Sequence, residues 1–193
     1  MNVLLLGGSP SAPSTTWRLL QLLGQGLVAL AHRTVALQVR QLPAEALLRA
    51  DLDDPLLREA LAQVRDADAI VVGTPVYKAS FSGVLKAFLD LLPQDGLAGK
   101  LVLPVATGGS QSHMLALDYA LRPVLASLGP RQILPGIYAT SRQLSWHPDH
   151  GLQPDEAIAA RLGAGIEHLH AELQQALARK AAGTARLPAA AVA

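Results

Sequence analysis

The run Ile70-Val71-Val72 is wholly apolar and breaks at Gly73-Thr74-Pro75. From Phe81 the apolar residues return at spacings of three or four, through Val84, Leu85, Phe88, Leu89 and Leu92. A short continuous apolar run bounded by turn residues marks a buried strand, and a period near 3.6 marks a helix, so the chain changes element between the two. Thr74-Pro75-Val76-Tyr77-Lys78-Ala79-Ser80 therefore stands at the carboxyl end of a buried strand, with Ser80 or Ser82 as cap of the helix that follows. Open α/β sheets receive their ligands at that edge.

The same alternation recurs along the chain. Asn2 to Gly8 reads as a buried strand, followed by a polar loop and a helix through Leu19, Leu20, Leu23 and Leu27. Thr34 to Val39, Ala69 to Gly73, Leu101 to Ala106 and Gln132 to Tyr138 read as further strands. Leu56 to Ala67, opened by Pro55, then Ser82 to Leu92 and His113 to Leu128 read as helices. Strands joined by helical crossovers lie parallel, with helices on both faces. The expectation is an α/β fold, a flavodoxin-like three-layer sandwich with a five-stranded parallel sheet, as a single domain over residues 1–180. Thr140 to Gln153 reads as a long loop, and Pro154 with Asp155 and Glu156 opens a last helix. Its Ile158, Leu162, Ile166, Leu169, Leu173 and Leu177 form one buried face. From Ala181 the Ala-rich tail, residues 181–193, has no period and is expected to be disordered.

Composition narrows the function. The 193 residues are half apolar, enough for one well-covered sheet and little more. Net charge is +1 and aromatic residues make up 4%, so neither a basic groove nor a row of base-stacking rings is available and no nucleic acid partner is expected. Cysteine is absent, which removes disulfides, thiol redox chemistry and thiolate metal sites, and no metal is expected. The first strand begins at Asn2 with no basic segment before it, and no apolar stretch reaches membrane-spanning length. A soluble cytoplasmic protein without membrane partners is expected.

Three loops follow apolar strands. The first presents Ser9, Ser11, Ser14, Thr15 and Thr16 at or just before a helix amino terminus, where free N–H groups and the helix dipole favour an anion such as a phosphate monoester. It has neither Gly-x-x-x-x-Gly-Lys-Ser/Thr nor Gly-x-Gly-x-x-Gly, so a nucleoside triphosphate or a dinucleotide in the usual mode is disfavoured. The same residues are also what a plain helix cap requires. The second loop is Thr74 to Ser80. The third, Ala106-Thr107-Gly108-Gly109-Ser110, has two glycines that let backbone approach a flat ligand. Together they describe a pocket for a phosphorylated planar ring.

Gly8-Ser9-Pro10 with Ser14, the segment Thr74 to Lys86, Ala106 to Ser110 with His113, and Asp118 to Leu125 resemble the NAD(P)H-dependent FMN reductase family. Within it, the likeness is to the flavin reductase component of two-component alkanesulfonate monooxygenase systems. The resemblance implies FMN reduced by NADPH or NADH, a homotetramer, and a flavin-dependent monooxygenase as acceptor of reduced FMN. By position it implies that Ser9, Ser14, Thr15 and Thr16 hold the FMN phosphate, that Pro75, Val76, Tyr77, Lys78 and Ala79 border the ring, and that Thr107, Gly108, Gly109 and Ser110 contact its pyrimidine side. No side chain is implied as acid or base, because hydride passes directly to the flavin. Relatives often carry Arg where this chain has Ser11 and Thr15, so weak retention of FMN is expected.

Pro123 interrupts a helical period. It cannot donate to the carbonyl of Tyr119, so the helix must kink or widen, which sets Tyr119 on a bulge near the flavin or at a subunit interface. Trp146 and His147 read either as a flap over the ring or as a packed loop anchor. An FMN-bound quinone or azo reductase and a flavodoxin-like electron carrier share this fold and remain the alternatives.

Overall fold

The computed structural model describes residues 1–184, and the side chains of residues 1–179. Strands β1 (Asn2–Gly7), β2 (Arg33–Gln38), β3 (Ala69–Tyr77) and β5 (Leu101–Gly108) run parallel in the order β2-β1-β3-β5. The fifth position is shared by β6 (Gln132–Ile133) and β7 (Ile137–Thr140), both paired to β5. Pro135 and Gly136 divide them, since proline has no N–H for the ladder. This is the flavodoxin-like strand order, which places the ligand edge at the carboxyl ends of β1 and β3.

Helix α1 (Thr15–Ala29) and helix α6 (Glu156–Thr184) cover one face of the sheet, where Leu19, Leu20, Leu23 and Leu27 meet Val3, Leu5, Val71 and Leu103. Helices α2 (Ala44–Arg49), α3 (Pro55–Asp66), α4 (Gly83–Leu89) and α5 (Arg122–Ser127) cover the other, where Phe88 and Leu85 meet Leu4, Leu6, Ile70 and Val72. Consecutive residues of β1 and β3 alternate between the two clusters, so a continuous apolar run is what a strand buried on both faces requires. Pro55 opens α3 as expected, behind an Asp54 cap that accepts from the N–H of Leu56 and Leu57 at 2.9 and 3.0 Å.

Several expectations change. Thr74 to Ser80 is not a plain loop: β3 continues to Tyr77, and a tight turn leads into β4 (Ser80–Phe81), which pairs antiparallel with it. The expected loop over Thr140 to Gln153 contains a hairpin of β8 (Leu144–His147) and β9 (Gly151–Pro154). Pro154 therefore ends a strand, and Asp155 caps α6 by accepting from the N–H of Ile158 at 2.7 Å. The single helix expected over His113 to Leu128 is a 3-10 turn at Gln111–His113, a π-helical turn at Leu117–Leu121 and then α5. That wide turn immediately before Pro123 is the widening required by the missing donor. Backbone helix continues through Ala181–Thr184 at the start of the expected tail, and residues 185–193 lie outside the described residues.

Candidate functional site

The carboxyl ends of β1, β3 and β5 are in register, with Gly7 beside Gly73 and Pro75 beside Thr107, so the three sequence-predicted loops meet at one edge. Buried hydroxyls tie them together. Thr16 Oγ1 of α1 lies 2.6 Å from Thr107 Oγ1 at the end of β5, and both side chains are buried. The Ser82 hydroxyl at the start of α4 donates to the carbonyl of Gly8 and accepts from the N–H of Leu85 at 3.2 Å. The Ser82 N–H donates to Thr74 Oγ1 at 3.0 Å, and the Thr74 hydroxyl donates to the carbonyl of Pro75 at 2.9 Å. Gly8 N–H completes the join by donating to the carbonyl of Gly73 at 2.7 Å. A side chain at Gly8 would bring its Cβ within 2.6 Å of Leu85 Cβ, so only glycine lets the first loop sit this close to α4.

The first loop offers an anion site and a cap at once. Ser14 Oγ accepts from the N–H of Trp17 at 3.1 Å, and the first helical bond runs from the N–H of Arg18 to the carbonyl of Ser14. Thr15 and Thr16 precede that ladder, so their N–H groups point out of the positive end of α1, which has no acidic residue in its first turn. Ser11 and Thr15 are exposed, whereas Ser9 is buried and its hydroxyl accepts from the N–H of Ser11 at 3.3 Å. The hydroxyls of Thr16 and Thr107 share one hydrogen bond, in which one donates and the other accepts, so the pair braces the loops and keeps one hydroxyl hydrogen for a further acceptor.

In the second loop Val76 packs on the core, while Tyr77, Lys78 and Ala79 are exposed. Lys78 and Ala79 have φ of 49° and 62°, the left-handed pair that a two-residue hairpin turn demands and that non-glycine residues adopt at a cost. In the third, the Tyr138 hydroxyl donates to the carbonyl of Ser110 at 2.6 Å, and burial pushes its phenol above the ordinary value. A Cβ on Gly108 would collide with that hydroxyl, whereas one on Gly109 would meet nothing within 4 Å. The loop is thus pinned on one side and open on the other. Ser110 also caps the short turn that follows, where its Oγ accepts from the N–H of Ser112 at 3.3 Å. His113 closes that turn, fully exposed.

Tyr119 lies on the π-helical turn, which packs against β4, and its side chain is 79% exposed. Arg122 bridges that turn to the break between β6 and β7: Nε lies 3.2 Å from Asp118 Oδ1, and its terminal nitrogens reach the carbonyls of Ile133 and Leu134 at 3.4 Å. Tyr138 and Arg18 were missed by the sequence reading. Neither sits in a motif, since Tyr138 lies inside a strand and Arg18 inside a helix. Trp146 is half exposed on β8 beneath the guanidinium of Arg18, 3.4 Å from its ring centroid, as an anchor of the hairpin on α1.

Ser9–Thr16, Thr74–Ser80 and Thr107–His113 contain no carboxylate. Outward N–H groups at one end and half-buried Pro75, exposed Tyr77 and open Gly109 at the other fit a ligand with an anionic tail and a flat, partly apolar head. FMN has that form. A cavity of about 590 Å³ lies away from these loops, between α3 and the segment leading into β5.

Comparison with known proteins identifies the family. The family model described as NADPH-dependent FMN reductase matches residues 1–144. An FMN reductase (NADPH) of Pseudomonas putida is 46% identical over 176 residues, covering 90% of this chain and 88% of that one. The FMN reductase (NADPH) of Escherichia coli K12 is 42% identical over 168 residues, covering 86% and 87%. The crystal structure of an apo NADH:FMN oxidoreductase superposes with a TM-score of 0.81 at 40% identity, covering 89% of each chain. With the family model, the curated relatives and the superposed fold in agreement, the chain belongs to the NADPH-dependent FMN reductase family and is an oxidoreductase that uses FMN with a reduced nicotinamide.

Proposed function

We propose that FMN binds across the tips of β1, β3 and β5, is reduced there by NADPH or NADH, and leaves to serve a flavin-dependent monooxygenase in sulfonate sulfur assimilation. The observation that carries this reading is the set of hydroxyl bonds, Thr16 to Thr107 and Ser82 to Gly8, that holds the three loops at one sheet edge. When bound, FMN supplies the ring nitrogen that takes a hydride from the nicotinamide.

The chain's own task is to bind and orient. Thr15 and Thr16 N–H groups, with the hydroxyls of Ser9, Ser11, Ser14 and Thr15, face the phosphate. Pro75 to Ala79 form the wall beside the ring. The backbone at Gly108, Gly109 and Ser110 turns its dipoles to the pyrimidine edge, where preorganised N–H groups stabilise negative charge without side-chain proton transfer. Lys78, at the tip of the hairpin, adds positive potential at the mouth.

The first loop has no Arg or Lys of its own, so the phosphate would gain fewer charge-assisted bonds than a loop bearing them would give, and FMN would exchange as a substrate rather than stay as a prosthetic group. Exposed Met114, Leu115 and Tyr119, on and before the π-helical turn, support a subunit contact there, as a homotetramer would require, and the protein would act in the cytoplasm. Oxidation of NADPH and of NADH, followed by nicotinamide absorbance with and without added FMN, tests the reading. Turnover that depends on added FMN is expected. Protein that purifies with flavin and turns over a quinone without added FMN would instead place it among the quinone reductases.

A further inference from the structure

A phosphate monoester carries nearly two negative charges, yet the loop from Ser9 to Thr16 has only hydroxyls and N–H groups to meet them. The fold supplies a cation from elsewhere. Arg18 lies four residues beyond the Ser14 cap, on the same face of α1 as Ser14 and Thr15. It rises roughly 6 Å along the axis from Ser14, and helical side chains lean towards the amino terminus, so an extended arginine reaches the first turn.

Two further observations mark it. Arg18 makes no ion pair with a carboxylate among the described residues. Its guanidinium instead sits over Trp146, 3.4 Å from the ring centroid. Stacking uses the face of the guanidinium and leaves its in-plane N–H donors at the edge, the arrangement that suits bidentate contact with phosphate oxygens. Trp146 is in turn held by the β8–β9 hairpin, whose Leu144 and Leu152 are buried in the same core cluster as Leu19 and Leu23 of α1. The platform is therefore fixed to the helix that carries the arginine.

We propose that Arg18 is the cationic partner of the FMN phosphate, and that Trp146 is a positioning residue that holds the guanidinium ready for it. This rests on the FMN site proposed above. The contact gives the site its preference for the phosphorylated over the unphosphorylated flavin, although the residue lies outside the phosphate loop.

Equilibrium dialysis of the full chain with FMN and with riboflavin, which lacks the phosphate, tests it. Arg18→Ala should weaken FMN by about tenfold or more and leave riboflavin within about twofold, the scale of a lost charge-assisted bond. Arg18→Gln, which keeps an unbranched polar side chain on the helix without the charge, should do the same. Trp146→Ala should lose part of the FMN preference and Trp146→Phe should keep most of it. Added salt should weaken FMN binding more in the parent chain than in Arg18→Gln. If both Arg18 variants bind FMN as the parent does, or lose FMN and riboflavin equally, the assignment is overturned while the FMN site stands. If the parent chain binds neither flavin, the site itself is overturned and this contact with it.

Discussion

Ser82 shows how much can depend on one hydroxyl. It donates to the carbonyl of Gly8, accepts from the N–H of Leu85, and its own N–H is taken by Thr74 Oγ1, all in a buried setting. Ser82→Ala removes the cap of α4 and leaves the Gly8 carbonyl without that donor. A loss of about 1–3 kcal/mol in unfolding free energy is expected by urea titration, because a buried group deprived of its partner loses its full desolvation compensation. FMN affinity should fall as well, since the same bond fixes the first loop against the second. The cap was readable in the sequence from a serine just before a 3.6-residue period. The bond to Gly8 was not, because it joins residues 74 positions apart and no local pattern encodes that contact. Thr16 illustrates the same limit: its place in a hydroxyl-rich loop pointed to phosphate, and no local pattern encodes its bond to Thr107, 91 positions away.

Among the elements, the β3–β4 hairpin is the one most at odds with its local sequence. Its turn places Lys78 and Ala79 at positive φ, where Asn-Gly would be at ease. Replacing the pair by Lys78→Asn with Ala79→Gly should therefore raise the thermal midpoint, by a gain of about 1 kcal/mol, as measured by calorimetry. An unchanged or lower midpoint would mean that Lys78 and Ala79 make compensating contacts. The long elements were readable because apolar runs and 3.6 spacing persist over many residues in β1, β3, α1, α3 and α6. The β8–β9 hairpin escaped because each strand is four residues long and its turn, Pro148-Asp149-His150, has the composition of a loop. Helix α2, six residues long, is likewise too short to show a period. The π-helical turn was signalled by a single residue, Pro123, whose missing donor has only a few geometric remedies.

Across the whole molecule, α6 is joined to the amino-terminal half by a pair of histidines. His32 is buried at the entrance to β2, and its Nε2 lies 2.9 Å from His170 Nδ1. His32 Nδ1 is buried with no partner among the described residues, so a proton there would leave a buried N–H unmet. Burial first, then the proximity of His170 and of the amino-terminal ammonium, holds the His32 imidazole below its ordinary value of 6.5. The unfolded chain then takes up a proton before the folded one does. Stability is full above that ordinary value and falls as the solution is acidified from it towards the lowered folded value. Chemical denaturation from neutral pH to about pH 5 should show this decline, and His32→Phe should flatten it. A slope unchanged by the substitution would assign the acid sensitivity elsewhere.

The Thr16–Thr107 bond also has a bearing on selectivity. It locks the amino end of α1 to the end of β5, two strands from β1 across the sheet, so the gap between the serine-rich turn and the glycine-bearing loop is a fixed span. A fixed span acts as a caliper. On the proposed site, flavins whose charged terminus and ring are separated by the ribityl length would close on both jaws together, and shorter or longer analogues would engage one jaw at the expense of the other.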